Sequence, residues 1–521
     1  MLAREAMNTL DPDAWAATGP VERLALIEDI QNNMLTYAEE LGAADAGMKG
    51  SQTAPGAVSD AEGIAGTVAP MANTLLGIQY LYESLVAGAM PAANGTRQIG
   101  DDVYEVDVFP ILPKDKMLAG QLRGYLHVAG TPIQVNPLEK PAGVIAISGA
   151  GNYSSSIEMA MALFLENKAV IHKPHQLNEA SDEVWAKVFA PLIERKAVAF
   201  IGSDQGREMS ALEGLHAIYF TGSTAVAHAI QNAASAPLVS ECGGNNPCLI
   251  VPGSWNEEEM QRWAMQIASV GKLNGGAVCG RPQTIITSKN WPQREAFLVA
   301  LRAAIAEQTF GTPTYYPGVG KTKEAFLANQ PTAEILEPGG GEKPNSEFIL
   351  IPSVQEDDFA VTNEAFCQIF SELPLETENN VDDFLTKATA FCNNKLLGSL
   401  GCMLLVDNET FKANEDRVRQ AVLDLNYGGI SVNNIPPNVW LNAYLTWGGC
   451  GETTDNFVSG VGNFGNALNF ENIIKSVIID DFGAQTFAYT DRAQMDHIYE
   501  KSAKFAVRQD WTAFAELMGM R

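Results

Sequence analysis

The chain has 521 residues, enough for about two to four domains of ordinary size and therefore for a large hydrophobic core. Hydrophobic residues make up 46% of it and charged residues 18%, a composition that excludes a disordered or fibrous protein. The formal net charge of -28 would repel a phosphate backbone and an anionic membrane surface, so we expect neither nucleic acid nor a membrane as a partner.

Seven cysteines are spread through the sequence without a CxxC pair, a pattern typical of reduced thiols in the cytosol. The first residues, MLAREAMNTLDPDAW, contain no apolar stretch of signal-peptide length. The sequence also lacks any run of about 18 consecutive apolar residues, the length of a membrane span. These observations predict a soluble cytoplasmic protein.

The first part of the chain is predicted to be helical. Apolar residues recur at helical spacing over residues 8–49 and again in MANTLLGIQYLYESLVAGAM, residues 71–90. Over residues 103–135 the pattern changes to an alternation of Val, Tyr and Leu with other residues, interrupted by glycines and a proline. This alternation favours extended chain or a hairpin.

Short apolar runs alternate with helix-length segments between residues 140 and 254. Six of these runs are predicted to be buried strands, at residues 143–151, 168–174, 197–203, 216–223, 236–244 and 248–254. Residues 154–167 and 178–195 are predicted helices between them. Strands that alternate with helices in this way predict a doubly wound parallel sheet, in which ligands bind beyond the carboxyl ends of the strands.

Mixed α/β patterning continues to about residue 425 and includes a strand that begins at Gln283. The Gly- and Pro-rich residues 331–348 are predicted to form a surface loop. The Gly- and Asn-rich residues 426–469 are predicted to form loops that line a cleft. Residues 473–479, IIKSVII, are predicted to be a strand, followed by a helical tail.

Three segments at predicted strand ends carry polar groups suited to binding a ligand. FTGST, residues 220–224, ends a strand at Gly222 and places Ser223 to cap a helix, whose N-terminal N–H groups attract anions. Lys173 ends another strand and could donate to hydroxyl groups or phosphate. Asn152 follows a third strand, where its amide could donate to a developing oxyanion. Taken singly, each has a simpler interpretation, as a helix cap, a surface lysine or a turn asparagine.

Cys279 and Glu241 are the candidate catalytic pair. Cys279 lies in LNGGAVCGRPQTII, between a glycine-rich approach and a predicted strand, and Glu241 ends the strand that leads into ECGG. A thiol and a carboxylate brought to one cleft would form a nucleophile and a base, although a single buried cysteine is more often inert packing. The sequence contains no HExxH and no GxSxG motif, so we expect neither a metal site nor a serine hydrolase.

The order of these motifs resembles that of the aldehyde dehydrogenase superfamily, with the substitutions of a divergent member. The match runs through the helical entry, Asn152, Lys173, FTGS, Glu241, the GGAVC cysteine and NEAF at residues 363–366. The resemblance implies an α/β fold with two doubly wound parallel-sheet domains, one for a cofactor and one catalytic, and a small β oligomerisation element.

The resemblance also implies a division of the chain. The cofactor-binding domain would occupy residues 1–240, with residues 103–135 in the oligomerisation element, and the catalytic domain residues 241–445. Residues 446–521 would return to the cofactor domain and supply an oligomerisation strand and a helical tail. A homodimer or homotetramer is then expected, and the tail could cover a neighbouring subunit, cover the substrate tunnel or pack on its own domain.

In this family's reaction Cys279 would attack an aldehyde as a thiolate, and the thiohemiacetal would become a thioester as hydride passes to a nicotinamide cofactor. The oxyanion would be held by Asn152 and the backbone N–H of Cys279, and Glu241 would activate water to release a carboxylic acid. The residues expected to bind the cofactor are Lys173, Gln176, Gly222, Ser223, Glu364 and Phe366. Gln176 stands where a glutamate that binds the adenosine ribose is common. Because a neutral side chain would not repel a 2'-phosphate, NADP is slightly favoured over NAD.

Other functions stay open at this point. A CoA-acylating aldehyde dehydrogenase or thioester reductase would pass the acyl group to CoA, but relatives of that kind generally lack the glutamate present here as Glu241. A non-catalytic ligand-binding or scaffold protein on the same fold is a third interpretation. Four aromatic residues fall in segments that could line the tunnel and would suit an apolar or aromatic aldehyde, namely Tyr153, Trp440, Tyr444 and Trp447. Core packing explains these aromatic residues nearly as well.

Overall fold

The computed structural model describes residues 1–53, 57–307, 313–337, 347–484 and 492–519. It begins with the helices α1 (Ala3–Thr9), α2 (Pro12–Ala16), α3 (Pro20–Gln52) and α4 (Asp60–Val86). Pro20 occupies the first turn of α3, where its missing N–H costs nothing, and Ser59 caps α4 by accepting a hydrogen bond from the N–H of Glu62 at 3.1 Å. The predicted helical entry is confirmed.

An arginine inside this helical entry ties its parts together. Arg23 is fully buried, and its guanidinium donates to the carbonyl of Trp15 at 2.7 Å, the carbonyl of Thr18 at 3.0 Å and the hydroxyl of Tyr82 at 3.1 Å. The indole N–H of Trp15 donates to the carbonyl of Leu163 at 3.2 Å. These bonds hold α3 and α4 against the sheet domain that follows, which fixes the wall that α4 contributes to the cavity described below.

An antiparallel element follows, made of β1 (Gly95–Gly100), β2 (Val103–Phe109) and β3 (Arg123–Ala129), with the short helix α5 (Pro113–Leu118) between β2 and β3. β2 pairs antiparallel with both β1 and β3. The extended structure predicted for residues 103–135 is therefore confirmed for β2 and β3, while α5 between them is a helix that the alternation did not predict.

The smaller of the two main sheets contains five parallel strands in the described parts of the chain, in the order β6-β5-β4-β7-β8. Its elements are β4 (Val144–Ser148), α6 (Ser156–Phe164), β5 (Ala169–Lys173), α7 (Glu179–Val188), α8 (Ala190–Glu194), β6 (Val198–Phe200), α9 (Gly206–Ser210), β7 (Ala217–Gly222), α10 (Thr224–Ala233) and β8 (Leu238–Cys242). The winding direction reverses between β4 and β7, and ligands bind at such a switch point in doubly wound sheets. Five of the six strands predicted between residues 140 and 254 are confirmed here, and the sixth, predicted at residues 248–254, belongs to the other main sheet as the strand Asn246–Ile250.

The larger sheet contains eleven strands within the described residues, in the order β1-β2-β3-β18-β15-β14-β9-β10-β13-β12-β11. The remaining elements are β9 (Asn246–Ile250), α11 (Glu257–Lys272), β10 (Pro282–Ser288), α12 (Arg294–Glu307), α13 (Val319–Asn329), β11 (Glu334–Leu336), β12 (Phe348–Ile351), α14 (Phe359–Thr362), β13 (Ile369–Leu375), α15 (Val381–Asn394), β14 (Gly401–Leu405), α16 (Asn408–Ala413), α17 (Glu415–Asp424), β15 (Gly429–Val432), α18 (Pro437–Trp440), β16 (Thr446–Trp447), β17 (Phe464–Gly465), β18 (Ile473–Ile479), α19 (Arg492–Arg508) and α20 (Trp511–Leu517). Its central strands from β18 to β12 are parallel, which confirms the α/β fold class with a second parallel sheet.

The chain passes from the smaller to the larger sheet between Cys242, the last residue of β8, and Asn246, the first residue of β9. This short crossing brings the carboxyl ends of the smaller sheet towards the amino ends of β9 and β10. The predicted domain boundary between residues 240 and 241 stays a prediction, but the crossing explains why residues from both sheets meet in one cleft.

Two loop predictions need correction. Residues 331–348 were expected to be a surface loop, but β11 lies within them and pairs antiparallel with β12, while residues 338–346 lie outside the described residues. Residues 426–469 were expected to be cleft loops, but β15 is a buried strand between β14 and β18. A glycine is required at position 429 because the ring of Trp447 packs directly on the strand. A Cβ at Gly429 would lie 2.5 Å from that ring.

The predicted strand at residues 473–479 is confirmed as β18, and it is paired on both sides within the chain, parallel to β15 and antiparallel to β3. Its predicted role in oligomerisation stays a prediction. The helical tail is confirmed: α19 packs on α4, and Ser59 donates to Asp496 at 2.6 Å. Within the described ranges, no helix is both long enough and apolar enough to cross a bilayer.

Candidate active site

A cavity of about 230 Å³ lies at the crossing between the two sheets. The loop after β4, the ends of β7 and β8, the approach to β10 and α18 surround one part of it. Helices α3, α4 and α19 supply its far wall through Lys49, Pro70 and Tyr499 among others. Near the crossing, the lining residues with polar, nucleophilic or aromatic side chains are Asn152, Tyr153, Glu158, Thr221, Glu241, Cys279, Trp440 and Trp447. The sequence-predicted pair Cys279 and Glu241 therefore opens into one cavity.

The backbone around Cys279 is held by hydrogen bonds from Asn246 at the start of β9. The side-chain amide of Asn246 donates to the carbonyl of Cys279 at 2.5 Å and to the carbonyl of Arg281 at 2.9 Å. All seven cysteines lie in the described parts of the chain, and Cys279 is half-buried whereas the other six are buried. This exposure separates Cys279 from the inert packing cysteines.

Glu241, Cys279 and Trp447 form a hydrogen-bonded group inside the cavity. The thiol of Cys279 is hydrogen-bonded to the carboxyl of Glu241, and the indole N–H of Trp447 donates to the Oε1 atom of Glu241 at 3.3 Å. Burial raises the pKa of Glu241 to about 7, against the lowering effect of these two hydrogen bonds. Burial and the neighbouring Glu241 carboxylate raise the pKa of the Cys279 thiol well above its usual range. Cys279 therefore rests as a thiol beside a carboxyl group that titrates near neutrality.

Asn152, the predicted oxyanion donor, lies in the loop after β4 and lines the same cavity. Its side-chain amide donates to the carbonyl of Ala277 at 3.1 Å, two residues before Cys279. Asn274 donates to the carbonyl of Asn152 at 3.2 Å and to that of Ala277 at 3.2 Å. An amide nitrogen carries two hydrogens, so one N–H of Asn152 holds the cysteine loop while the other is available to the cavity.

Glu364 lies near this group and is within electrostatic reach of both Glu241 and Cys279. Its carboxyl packs so closely on Gly243 that a Cβ there would lie 1.9 Å from Oε1, and it accepts a hydrogen bond from the backbone N–H of Gly244. Burial raises the pKa of Glu364 to about 7, although the Gly244 bond and the charge of Arg281 oppose the rise. Gly243 therefore makes room for a second carboxyl near the first.

Phe366, the residue expected against the nicotinamide ring, has a left-handed backbone with φ of 48°. Its ring meets that of Tyr316 edge to face, with centroids 5.0 Å apart. The hydroxyl of Tyr316 reaches the loop after β4, where a Cβ on Gly151 would lie 2.8 Å from it. Tyr316 thus connects the Phe366 side of the cleft with the smaller sheet.

The residues predicted to bind the adenosine end of a cofactor lie at the carboxyl ends of β5 and β7. Ser223 is exposed and caps α10, and Gln176 is exposed in the turn after β5. Lys173 donates to the carbonyl of Pro174 at 3.0 Å, and burial lowers its pKa. Gly222 ends β7 directly before Ser223. An exposed N-terminus of a ten-residue helix and a lysine at the same edge of the sheet, two strands away, fit a pyrophosphate and a ribose hydroxyl.

Three of the four aromatic residues predicted to line the substrate tunnel do line the cavity. Tyr153 and Trp440 line the cavity and meet edge to face with centroids 5.2 Å apart, and Trp447 also lines it. Tyr444 does not line the cavity: it is buried against Tyr80, with centroids 6.5 Å apart, in the same hydrophobic cluster as Trp447. The expectation that Tyr444 lines the tunnel is wrong, because its ring is buried in the core beside the cavity wall.

Glu158 was missed by the sequence analysis. It is the third residue of α6, after Ser155 at the N-cap, and S-x-x-E at a helix start has a complete local explanation as a capping box. In the structure Ser155 makes no side-chain capping bond, and Glu158 lines the cavity instead. Asn246 was also missed, since its contact with Cys279 joins two strands far apart in sequence.

Comparisons with known proteins agree with this arrangement. A profile of the aldehyde dehydrogenase family matches residues 133–320. Aldehyde dehydrogenase family 3 member I1, chloroplastic, from Arabidopsis thaliana is 23% identical over 356 residues, 65% of this chain and 60% of that protein. Benzaldehyde dehydrogenase (NAD+) from Pseudomonas putida is 28% identical over 197 residues, 36% of this chain and 39% of that protein. The chain thus aligns with about three fifths or less of the length of these curated relatives.

Solved structures match over nearly the whole chain. Aldehyde dehydrogenase 21 from Physcomitrella patens, in complex with its reaction product succinate, has a TM-score of 0.63 at 16% identity and covers 91% of this chain and 89% of that one. NADP-dependent glyceraldehyde-3-phosphate dehydrogenase from Bacillus halodurans C-125, complexed with NADP, has a TM-score of 0.64 at 14% identity, with coverage of 92% and 91%. At such identities the likeness establishes the fold.

Proposed function

This chain belongs to the aldehyde dehydrogenase superfamily, and we propose that it oxidises an aldehyde to a carboxylic acid through a thioester on Cys279. The observation that carries the proposal is that Cys279 and Glu241 line one cavity, in which the indole of Trp447 donates a hydrogen bond to Glu241 at 3.3 Å. A nucleophile and a base in contact are what covalent acyl chemistry requires.

Glu241 acts first on the thiol. Because the pKa of Cys279 is raised, a free thiolate is scarce at neutral pH, and Glu241 must take the proton as the sulfur attacks the aldehyde carbonyl. The carbonyl oxygen then becomes an oxyanion, which the free N–H of Asn152 and the backbone N–H of Cys279 would stabilise. Asn246 supports this step by fixing the carbonyl of Cys279, on the peptide unit next to the one that carries the second donor.

Glu241 acts again when the thioester is hydrolysed. A water beside its carboxylate loses a proton to Glu241 and attacks the thioester carbon, and the Cys279 sulfur leaves with the carboxylic acid released. The Glu241 side chain is already in contact with Cys279 and is therefore close to the thioester that forms on that sulfur. No second base is needed to activate the water. The position of Glu241 therefore favours hydrolysis over transfer of the acyl group to CoA.

A nicotinamide cofactor, when bound, accepts the hydride that leaves the thiohemiacetal carbon. The strand-end residues would hold it: Lys173 and Gln176 at the adenosine ribose, and Gly222 and Ser223 at the pyrophosphate. Glu364 and Phe366 would face its nicotinamide half. The exposure of Gln176 and Ser223 and the helix N-terminus behind Ser223 support this assignment.

The proposal is tested by following reduced-nicotinamide absorbance with a panel of aliphatic and aromatic aldehydes, with NAD and NADP in parallel. We expect turnover that yields the acid, identified by mass spectrometry, without added CoA. Product formation that requires CoA would replace hydrolysis by acyl transfer. No turnover with any aldehyde under either condition would contradict the proposed function.

Gln176 is proposed to admit NADP. The change Gln176→Glu places a negative charge where a 2'-phosphate would lie, so we expect the ratio of kcat/KM for NADP to that for NAD to fall by about tenfold or more, equivalent to about 1.4 kcal/mol. Gln176→Ala, which stays neutral, is the control and should keep its use of NADP. An unchanged ratio in the glutamate variant would remove Gln176 from cofactor selection.

We propose an apolar or aromatic aldehyde as the substrate, because Tyr153 and Trp440 form an aromatic wall of the cavity. Trp440→Ala should lower kcat/KM for benzaldehyde-type substrates by about tenfold while leaving short aliphatic aldehydes nearly unaffected, since only the larger ring loses its packing partner. Tyr444→Phe is the matched control outside the cavity. Equal losses for both aldehyde classes would argue against an aromatic substrate site.

A further inference from the structure

Glu158 is a second carboxyl group in the wall of the cavity, and the mechanism above does not use it. Its Oε1 atom accepts a hydrogen bond from the hydroxyl of Thr221 at 3.2 Å. Its Oε2 atom is buried and accepts no hydrogen bond from another residue in the described parts of the chain. A buried carboxyl with one unoccupied oxygen is costly as an anion and is well suited to hold a proton.

Thr221, which bonds to Glu158, is also the strand neighbour of the proposed base. Thr221 on β7 and Glu241 on β8 are direct neighbours in the parallel register, so their side chains project from the same face of the sheet. The negative charge of Glu158 is among the causes that raise the pKa of Glu241, which places the two carboxyls within electrostatic reach. Burial raises the pKa of Glu158 itself to about 7, close to that of Glu241.

The charged and titratable groups that face Glu158 come from four elements. Glu241 lies on β8, His172 on β5 and Asp182 on α7, and Tyr153 lies in the loop before α6. His172 and Asp182 are both buried, with His172 Nε2 at 3.2 Å from Asp182 Oδ2. The charges of His172 and Asp182 act on the pKa of Glu158 in opposite directions, so burial dominates.

The proposed reaction places a conflicting demand on Glu241. Once Glu241 has taken the thiol proton of Cys279 it is a neutral acid, yet it must be a carboxylate again before it can activate water. Glu241 is only 5% exposed, so bulk water has little access to its proton. A second acceptor inside the cavity would resolve the conflict.

We propose that Glu158 receives, through the hydroxyl of Thr221, the proton that Glu241 takes from Cys279. The transfer balances: the Glu241 proton passes to Thr221 Oγ1 as the hydroxyl proton of Thr221 passes to Glu158 Oε1, and no oxidant or further reactant is needed. Glu158 thereby acts through Glu241 and not on the substrate. The inference rests on the proposed function, because it assigns the next acceptor in the same reaction.

Hydrolysis of p-nitrophenyl acetate tests this path without a cofactor or an aldehyde. Acylation of Cys279 releases p-nitrophenolate in a burst, and the steady-state rate then reports hydrolysis of the acetyl thioester. For Glu158→Gln we expect an unchanged burst and a steady-state rate about tenfold lower. The acid limb of the pH profile, where the steady-state rate falls as the pH is lowered, should move to lower pH. The limb moves down because removal of the Glu158 charge lowers the pKa of Glu241.

Three further variants separate proton transfer from a structural effect. Thr221→Val should lower the steady-state rate similarly but leave the acid limb in place, since the Glu158 charge is kept. Glu158→Asp should restore part of the rate, and Ser181→Ala, which changes another lining hydroxyl, should behave as the wild type. A wild-type steady-state rate in Glu158→Gln, or a burst reduced as much as the steady-state rate, would overturn the inference.

Infrared titration between about pH 5 and pH 9 tests the protonation of Glu158 directly and requires no enzymatic turnover. The difference spectrum of wild type minus Glu158→Gln should contain a protonated-carboxyl band that disappears around neutral pH. A Glu158 that is ionised throughout this range would overturn the proposed proton acceptor. If the ester and infrared results are as expected but no aldehyde is oxidised, the proposed function fails while the proton path stands.

Discussion

Cys279→Ser is expected to lower kcat/KM for aldehyde oxidation by about a thousandfold or more. A serine hydroxyl is far less acidic than a thiol and is a poorer nucleophile. Its alkoxide cannot form in contact with the carboxylate of Glu241. The substitution changes one atom and keeps the backbone fixed by Asn246, so the loss should lie in kcat and not in folding. Reduced-nicotinamide absorbance with the best aldehyde and cofactor of the panel measures it.

Cys450→Ser is the matched control for this change. Cys450 is a buried cysteine outside the cavity lining, so the control should retain most of the wild-type activity. Iodoacetamide provides a second readout, because the half-buried Cys279 should be alkylated first and alkylation should abolish turnover. Turnover of the serine variant within tenfold of wild type would contradict a covalent mechanism at Cys279.

The raised pKa of Cys279 gives the mechanism a particular order. A cysteine activated beside a cation would rest as a thiolate and react with any electrophile. Here Glu241 and burial keep the sulfur protonated, so the thiolate forms only as Glu241 becomes available as a base. The activity of the thiol is therefore tied to the protonation state of the same carboxyl that later activates water.

The strand ends were predictable because they depend on local patterns. Apolar runs that stop at a polar residue placed Lys173, Ser223 and Glu241 at strand ends, and the parallel pairing of these strands then brings them to one edge of the smaller sheet. Cys279 belongs to the larger sheet, so its meeting with Glu241 could be expected only from the family resemblance. No periodicity in the sequence specifies how two sheets face each other.

The incorrect and missed predictions also arise from contacts between segments that are far apart in the sequence. Glu158 had a sufficient local explanation as a capping residue, and only the neighbouring strand β7 turns it into a cavity carboxyl. Gly429 was taken as a loop signal, but its small size is required by the ring of Trp447, which arrives from a distant segment. Contacts between elements far apart in sequence decided each of these cases.

Glu241→Gln is expected to lower the steady-state rate of acid formation by about 10²- to 10⁴-fold, the range typical of loss of a general base. Glutamine keeps the size of the side chain and can still accept the indole N–H of Trp447, so the cavity should remain intact. The thioester would then form slowly and hydrolyse more slowly still. Intact-protein mass spectrometry of a quenched reaction should detect the acyl group on Cys279.

The pH dependence of the wild type follows from the same residue. Burial raises the pKa of Glu241 to about 7, so the carboxylate needed for hydrolysis is present above that pH and is lost as the pH falls below it. The wild-type rate should therefore fall on the acid side of about pH 7, and Glu241→Gln should abolish this limb. Cys242→Ser, the adjacent residue, is the control that should keep both rate and limb. An acid limb that persists in Glu241→Gln would assign the titration to another carboxyl, and hydrolysis at the wild-type rate in that variant would exclude Glu241 as the base.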